Sequence, residues 1–277
     1  MKTTIQKTIL AVMVCVALAG ASASRGALAL GTWNTAYSIN FDSTVSDVSN
    51  GQFTGAGFQS SPTAGQLDSD SWAATGMSDG ALAFGGTQTT AGTDYTRGTS
   101  AGNVVPGGFY AFTVGTGNNA LGIQPGNADW TPGTLTLKIQ NSTGKTVSSL
   151  IISYDIYVRN DQNMANSFNF SHSANDSTYT SVGALDYTST AAADGSPSWV
   201  QNPKNTTLTG LSIADNAFYY VRWGGDEVSG SGKMDEFALD NINLTPVPEP
   251  ITWALVVFGG LMGGIQVVRR FVVGKAQ

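Results

Sequence analysis

The sequence predicts an all-β fold: a two-sheet antiparallel sandwich, flanked by an N-terminal signal helix and one C-terminal transmembrane helix. Three observations predict it. Apolar and polar residues alternate through the middle of the chain. The clearest case is Leu150, Ile152, Tyr154, Ile156 and Val158 against Ile151, Ser153, Asp155, Tyr157 and Arg159, the period-two pattern of a half-buried strand. Gly, Ser, Thr, Asn and Asp are abundant while charged residues make up only 12%, a turn-rich composition that suits many short strands. Uninterrupted apolar runs stand only near the two ends of the chain.

At the N-terminus, Lys2 and Lys7 precede an apolar run from Ile9 to Ala19, too short to span a bilayer comfortably. Ala21 and Ala23 frame a small-x-small cleavage site, so residues 1–23 read as a signal peptide and Ser24 as the mature start. Ala27 and Ala29 frame a second such site. Cys15, the only cysteine, lies inside the apolar run, preceded by Val14 where lipid attachment needs a small residue. Lipidation is therefore not expected. The exported domain has no disulfide and must be held by its core.

Residues 24–245 form one domain, long enough for a substantial core. Leu135, Leu137 and Ile139 alternate with Thr134, Thr136 and Lys138. A turn at 141–144 is expected to join this strand to 150–158 as a hairpin. Phe168 and Phe170 mark another strand, and 218–223 and 237–244 supply the last two. Around Asp240 and Asn241 the apolar phase shifts from Phe237 and Leu239 to Ile242 and Leu244, which predicts a bulge. The glycine-rich stretches 60–80 and 87–106 read as long loops. Eight basic and eighteen acidic residues lie in this domain, a net charge of about −10. Nucleic acid is excluded as a partner, because phosphate binding needs a basic face.

The C-terminus is a tail of three parts. Val247, Pro248, Glu249 and Pro250 form a short, stiff motif that should be extended and exposed. Residues 251–268 carry no charge. As a helix they span roughly 27 Å, near the thickness of a hydrocarbon core of about 30 Å. Arg269, Arg270 and Lys275 follow within a basic tail, 269–277, which the positive-inside bias places in the cytoplasm. This order resembles the PEP-CTERM sorting signal of Gram-negative bacteria. The resemblance implies recognition of Pro248, Glu249 and Pro250 by exosortase, a membrane cysteine transpeptidase. Arg269 and Arg270 match the basic stop. It also implies export by the general secretion machinery, an inner-membrane-anchored precursor with a periplasmic domain, and a cell-surface or extracellular product after processing.

The segment Met234 to Thr245, with Asp240, Asn241 and Ile242 near its end, resembles the closing strand of jelly-roll modules in exported proteins, among them carbohydrate-binding and MAM-like sandwiches. The segment from Tyr37 to Ser43 resembles the matching first strand. The resemblance implies a jelly-roll-like sandwich whose first and last strands pair.

Chemistry is sparse. His172 is the only histidine, so Cys–His and multi-histidine zinc sites are excluded. It continues the phase of Phe168 and Phe170 and reads as a strand residue. Glu227 and Glu236 are the main candidates for a carboxylate pair of the kind a glycoside hydrolase needs. Calcium is the one cofactor considered, as a structural ion, since hard cations take loop and strand-end oxygens. Asp42 near the first strand and Asp240 near the last are its candidate ligands, and Asp68 with Asp70 a weaker pair. Trp72, Trp130 and Trp199, with the polar run from Arg159 to Asn163, are candidates for polysaccharide contact. The expected function is a non-enzymatic exported surface or extracellular-matrix protein of a biofilm or floc. The alternatives are a glycan-binding surface module and, third, a carboxylate-dependent hydrolase. An exposed aromatic strip would favour glycan binding.

Overall fold

The computed structural model describes residues 26–248. The signal segment 1–23, Glu249, Pro250, the apolar run 251–268 and the basic tail with Arg269 and Arg270 lie outside them. Among the described residues no helix is long and apolar enough to cross a membrane. The structure is all-β, a sandwich of two large sheets. In the first, Leu28–Leu30, Gly133–Asn141, Phe218–Gly225, Met164–Ser173 and Thr180–Ser181 lie side by side. Trp72–Thr75 also pairs with Gly133–Asn141. The second has the order Trp199–Leu208, Ser149–Arg159, Glu236–Val247, Asn118–Gln124, Gly108–Gly115 and Thr99–Ser100, with Tyr37–Ile39 paired to Glu236–Val247.

The alternation expected from the sequence decides which face is buried. Leu135, Leu137, Ile139, Tyr219, Val221 and Trp223 point inward from the first sheet, and Leu150, Ile152, Tyr154, Ile156 and Val158 from the second. The rings make one connected core. Trp223 lies against Trp72 at 6.4 Å, Tyr154 at 5.5 Å and Phe170 at 5.9 Å. Phe109, Trp130, Phe168 and Phe237 continue it in sequence, each ring within 6.2 Å of the next.

Four expectations are corrected. The sheets are mixed rather than wholly antiparallel. Leu28–Leu30 runs parallel to Gly133–Asn141, and Thr99–Ser100 parallel to Gly108–Gly115. The strands Gly133–Asn141 and Ser149–Arg159 do not form a hairpin; each pairs within a different sheet. Their apolar phases face the same core from opposite sides, and Asn141 anchors the crossing by donating to Lys145 O and Ile213 O. The stretches 60–80 and 87–106 are not plain loops. They contain Gln66–Asp68, Trp72–Thr75 and Thr99–Ser100, and Gln66–Asp68 centres a small third sheet with Ser49–Asn50 and Phe58–Gln59. The last strand runs past Thr245 to Val247, which faces Ser149 while Pro246 faces Leu150. Pro246 O also accepts from Asn34 N at 2.9 Å. Val247 is thus part of the fold, and only Pro248 of the stiff motif follows within the described residues.

Two expectations match the structure. Tyr37–Ile39 pairs antiparallel with the closing strand. The bulge sits at Asp240 and Asn241: Asp155 faces Asp240 but Ser153 faces Asn243, one residue more on the closing strand. Asn241 takes up the excess at φ 50°, a left-handed conformation that asparagine tolerates better than most residues.

Candidate functional site

The outer face of the first sheet carries an aromatic strip. Phe218–Gly225 alternates, so Tyr219, Val221 and Trp223 enter the core while Phe218, Tyr220 and Arg222 face outward. Register then sets their neighbours: Gln140 beside Phe218, Lys138 beside Tyr220 and Thr136 beside Arg222. Phe84 packs on Tyr220 at 5.9 Å between ring centroids. The Lys138 ammonium stands 4.6 Å from the Phe84 ring centre and 5.2 Å from that of Phe218, in the range of cation–π attraction. Arg222 lies over the Tyr179 ring at 3.6 Å, donates to Thr136 Oγ1 at 2.8 Å, and donates to Asp176 Oδ1 at 3.0 Å. Tyr179 OH donates to the same Asp176 oxygen. Phe218 is 39% exposed, and Phe84, Tyr179 and Tyr220 are half-buried.

The strip is electrically balanced. Asp176 pairs with Arg222. Burial lowers the Lys138 pKa, and the fields of Asp70, Asp68 and Asp176 oppose that shift. Flat rings, amine and guanidinium donors and an amide therefore share one open surface with little net charge.

The second sheet offers no comparable face. There the segment 101–107 crosses over the outward rings of Tyr110 and Phe112. Val104 packs against them, and its N–H donates to Glu236 Oε1 at 2.6 Å. Trp199, half-buried, packs on Phe112 at 5.0 Å and donates from Nε1 to Ala101 O at 3.0 Å. Trp72 and Trp130 are fully buried core residues, so two of the three tryptophans considered for sugar contact are unavailable. The first residues of the polar run, Arg159 and Asn160, are spent internally, whereas Asn163 is exposed. Arg159 bonds Asp161 and the carbonyl of Pro197, and Asn160 bonds Thr190, Ala192 and Asp194.

The remaining candidates fall in varied places. His172 is a strand residue whose Nδ1 meets the Tyr219 hydroxyl; burial lowers its pKa. Asp68 is buried and accepts the Asp70 N–H at 2.9 Å, an Asx turn. Glu227 is exposed in a strand of the first sheet, whereas Glu236 is buried in the second, so the two do not face one open cleft.

Asp42 and Asp240 do come together. Asp42 Oδ1 accepts from Asn119 N at 2.9 Å and Gln52 Nε2 at 3.2 Å. Asp240 Oδ1 accepts from Asn241 N at 2.7 Å, while its Oδ2 is buried without a partner among the described residues. Burial first, then the charges of Asp42 and Asp155, push the Asp240 pKa up to about 7. Asp155, directly across the ladder, was invisible to a reading of residue type alone. Among the described residues no three His, Cys, Asp or Glu side chains are gathered so as to hold a metal ion.

Glu236, fully buried, opens the same strand, and Asp235, also fully buried, immediately precedes it. Burial and the charge of Asp161 raise Asp235 to about 6 and Glu236 to about 7, although Arg159 draws Glu236 the other way.

No protein-family model matches the chain, and no curated protein does so. Solved structures overlap it loosely. The K1 cleaved adhesin domain of Lys-gingipain from Porphyromonas gingivalis W83 has a TM-score of 0.38 at 12% identity, over 77% of this chain and 99% of that one. A non-crystalline-cellulose-specific carbohydrate-binding module, CBM28, has a TM-score of 0.33 at 15% identity, over 50% and 80%. A CBM4 structure has a TM-score of 0.27 at 19% identity, over 46% and 70%. At these scores the overlap carries no argument about function.

Three raised carboxyls, two on the closing strand and Asp235 just before it, set a pH dependence. Each holds its proton more tightly folded than unfolded, so its contribution is complete below the unfolded value near 4 and is lost as pH rises through 6 and 7. His172 acts in the opposite direction, one group against three. The melting temperature is expected to fall from pH 5 to 8, with each carboxyl costing at most ~1.4 kcal/mol per pH unit. Glu236→Gln should flatten the slope. A melting temperature that rose across this window would contradict the assignment.

Proposed function

We propose that the domain is a non-catalytic glycan-binding module carried on an exported surface protein. The observation that carries this reading is the strip of Phe84, Phe218, Tyr220 and Tyr179, with Lys138 and Arg222 among the rings. A pyranose has a face of polarised C–H groups and an edge of hydroxyls. The negative face of an aromatic ring suits the first, and Lys138, Gln140, Arg222 and Asp176 suit the second. The near-neutral balance favours an uncharged polysaccharide. Binding of soluble and insoluble neutral polysaccharides, measured by affinity electrophoresis and pull-down, is expected to weaken roughly tenfold, ~1.4 kcal/mol, for Phe218→Ala and for Tyr220→Ala. Undiminished binding by the double variant would overturn the reading.

The same proposal covers delivery. Val247, Pro248, Glu249 and Pro250, the apolar run 251–268, and Arg269 with Arg270 support sorting by exosortase from an inner-membrane precursor. A short, stiff link at the end of the closing strand would hold the domain near the membrane until processing. The double replacement Pro248→Ala and Glu249→Ala should leave an uncleaved, membrane-retained chain in the native host. Equal release of mutant and wild type would refute this.

We further propose calcium as a structural ion between Asp42 and Asp240. Its support is the buried Asp240 oxygen left without a partner beside a second carboxylate. Calcium also takes amide, carbonyl and water oxygens, so two carboxylates suffice as its charged ligands. At pH 8, millimolar calcium should stabilise the full chain by about 1–4 kcal/mol, depending on its excess over the dissociation constant. Asp240→Asn should remove most of the gain. A melting temperature indifferent to calcium and chelator would dismiss the ion.

A further inference from the structure

We propose a second binding site, separate from the strip: a cleft of about 270 Å³ among the loops at one end of the sandwich that takes a single hexose unit, receiving its hydroxyls on fixed acceptor oxygens. It lies where the strands Asn118–Gln124 and Glu236–Val247 of the second sheet meet their loops, and it shares no residue with the strip.

Gln124 lines the cleft and is 2% exposed. Both carbonyls its amide nitrogen reaches, Pro125 O at 2.9 Å and Met234 O at 3.0 Å, fix the side chain in place. Its Oε1 is buried with no partner among the described residues. A buried acceptor left unpaired is costly, and a hydroxyl donated by a ligand removes that cost. Asp129 supplies a second acceptor. One of its oxygens takes the Ser78 N–H at 2.7 Å. The other lies beside Gly107 and Gly126, where a Cβ would come within 2.2 Å and 3.5 Å of it. Glycine at 107 is what lets the backbone pass the carboxylate. The turn carrying Asp129 is closed by Gly126 N donating to Asp129 O at 2.8 Å. Lys233 contributes an exposed amine, and Val105 and Met234 contribute apolar surface.

This lining selects the ligand class. Acceptor oxygens of Gln124 and Asp129 in the lining call for a ligand that brings donors, which disfavours phosphates and carboxylates. A cleft of about 270 Å³ has room for one sugar ring with its hydroxyls. Apolar walls beside acceptors match a ring with a C–H face and an O–H edge.

The test is saturation-transfer NMR on the full chain in detergent micelles, with methyl glycosides of glucose, galactose, mannose and N-acetylglucosamine as probes. At least one probe should receive saturation. In a Phe218→Ala, Tyr220→Ala background, where the strip is disabled, Val105→Trp should abolish it by filling the cleft; Val105 is 51% exposed, so the fold tolerates the change. Gln124→Met should weaken binding about tenfold. Phe218→Ala should leave the signal intact, which separates this site from the strip. No saturation of any probe, or a signal in the Phe218→Ala, Tyr220→Ala background that survives Val105→Trp, would overturn the proposal. Loss of the signal in Phe218→Ala alone would also overturn it, because the sugar would then sit on the sheet face.

Discussion

The closing strand, Glu236–Val247, is the constraint on which the rest of the domain depends. On one side it pairs with Ser149–Arg159 along most of its length. On the other it pairs first with Asn118–Gln124 and then with Tyr37–Ile39. The change of partner falls at Asp240 and Asn241, where the bulge turns the apolar phase. Without that extra residue, a strand with Phe237 and Leu239 inward would send Ile242 and Leu244 outward. With it, all four reach the core. One irregular residue thus lets a single strand join the beginning, middle and end of the chain, in a domain with no disulfide to do so.

The same strand and the residue before it carry buried carboxyls in costly settings. Asp235, Glu236 and Asp240 are all buried, and each keeps one oxygen without a hydrogen-bond partner among the described residues. An ionised carboxylate in such a place is costly, and it is relieved by a proton, a cation or a neighbouring donor. Arg159 gives partial relief to Glu236, its Nε standing 3.6 Å away. Asp240 has no such cation and instead faces Asp42 and Asp155. The start of the strand and its bulge therefore solve one electrostatic problem differently. At the Glu236 end the solution also fixes the segment over the second sheet, because the other Glu236 oxygen holds the Val104 N–H.

Most of the fold was legible because strand alternation is a local property. Leu150 to Val158 fixes its own buried face wherever the strand ends up. The phase break at Asp240 was legible for the same reason. Pairing was not. Gly133–Asn141 and Ser149–Arg159 are separated by a turn and look like a hairpin, yet only the folded core shows that both apolar faces need opposite sheets. Trp72 and Trp130 sit in glycine-rich stretches that suggest exposure, and the core claims them instead. The strip was partly written in the sequence: Phe218, Tyr219 and Tyr220 are consecutive, and period-two geometry cannot bury all three. Phe84, Lys138, Tyr179 and Arg222 were not legible, because cross-strand register and a returning loop bring them together from four separate segments.

That assembly bears on how the strip would work. Phe218 exposes apolar surface that a structural domain gains nothing by showing, and a lone exposed ring needs no explanation. Here the rings are not alone. Tyr179 is held between the Arg222 guanidinium and Asp176, Arg222 is tied to Thr136, and Lys138 is set between two rings with its charge partly desolvated. Each contact removes rotamer freedom before a ligand arrives, so less ordering remains to oppose association. The sheet supplies the backbone rigidity, and side-chain pairs across its ladder supply the rest. What the strip presents thus follows from register: Thr136 beside Arg222 and Lys138 beside Tyr220 place each polar donor next to a ring.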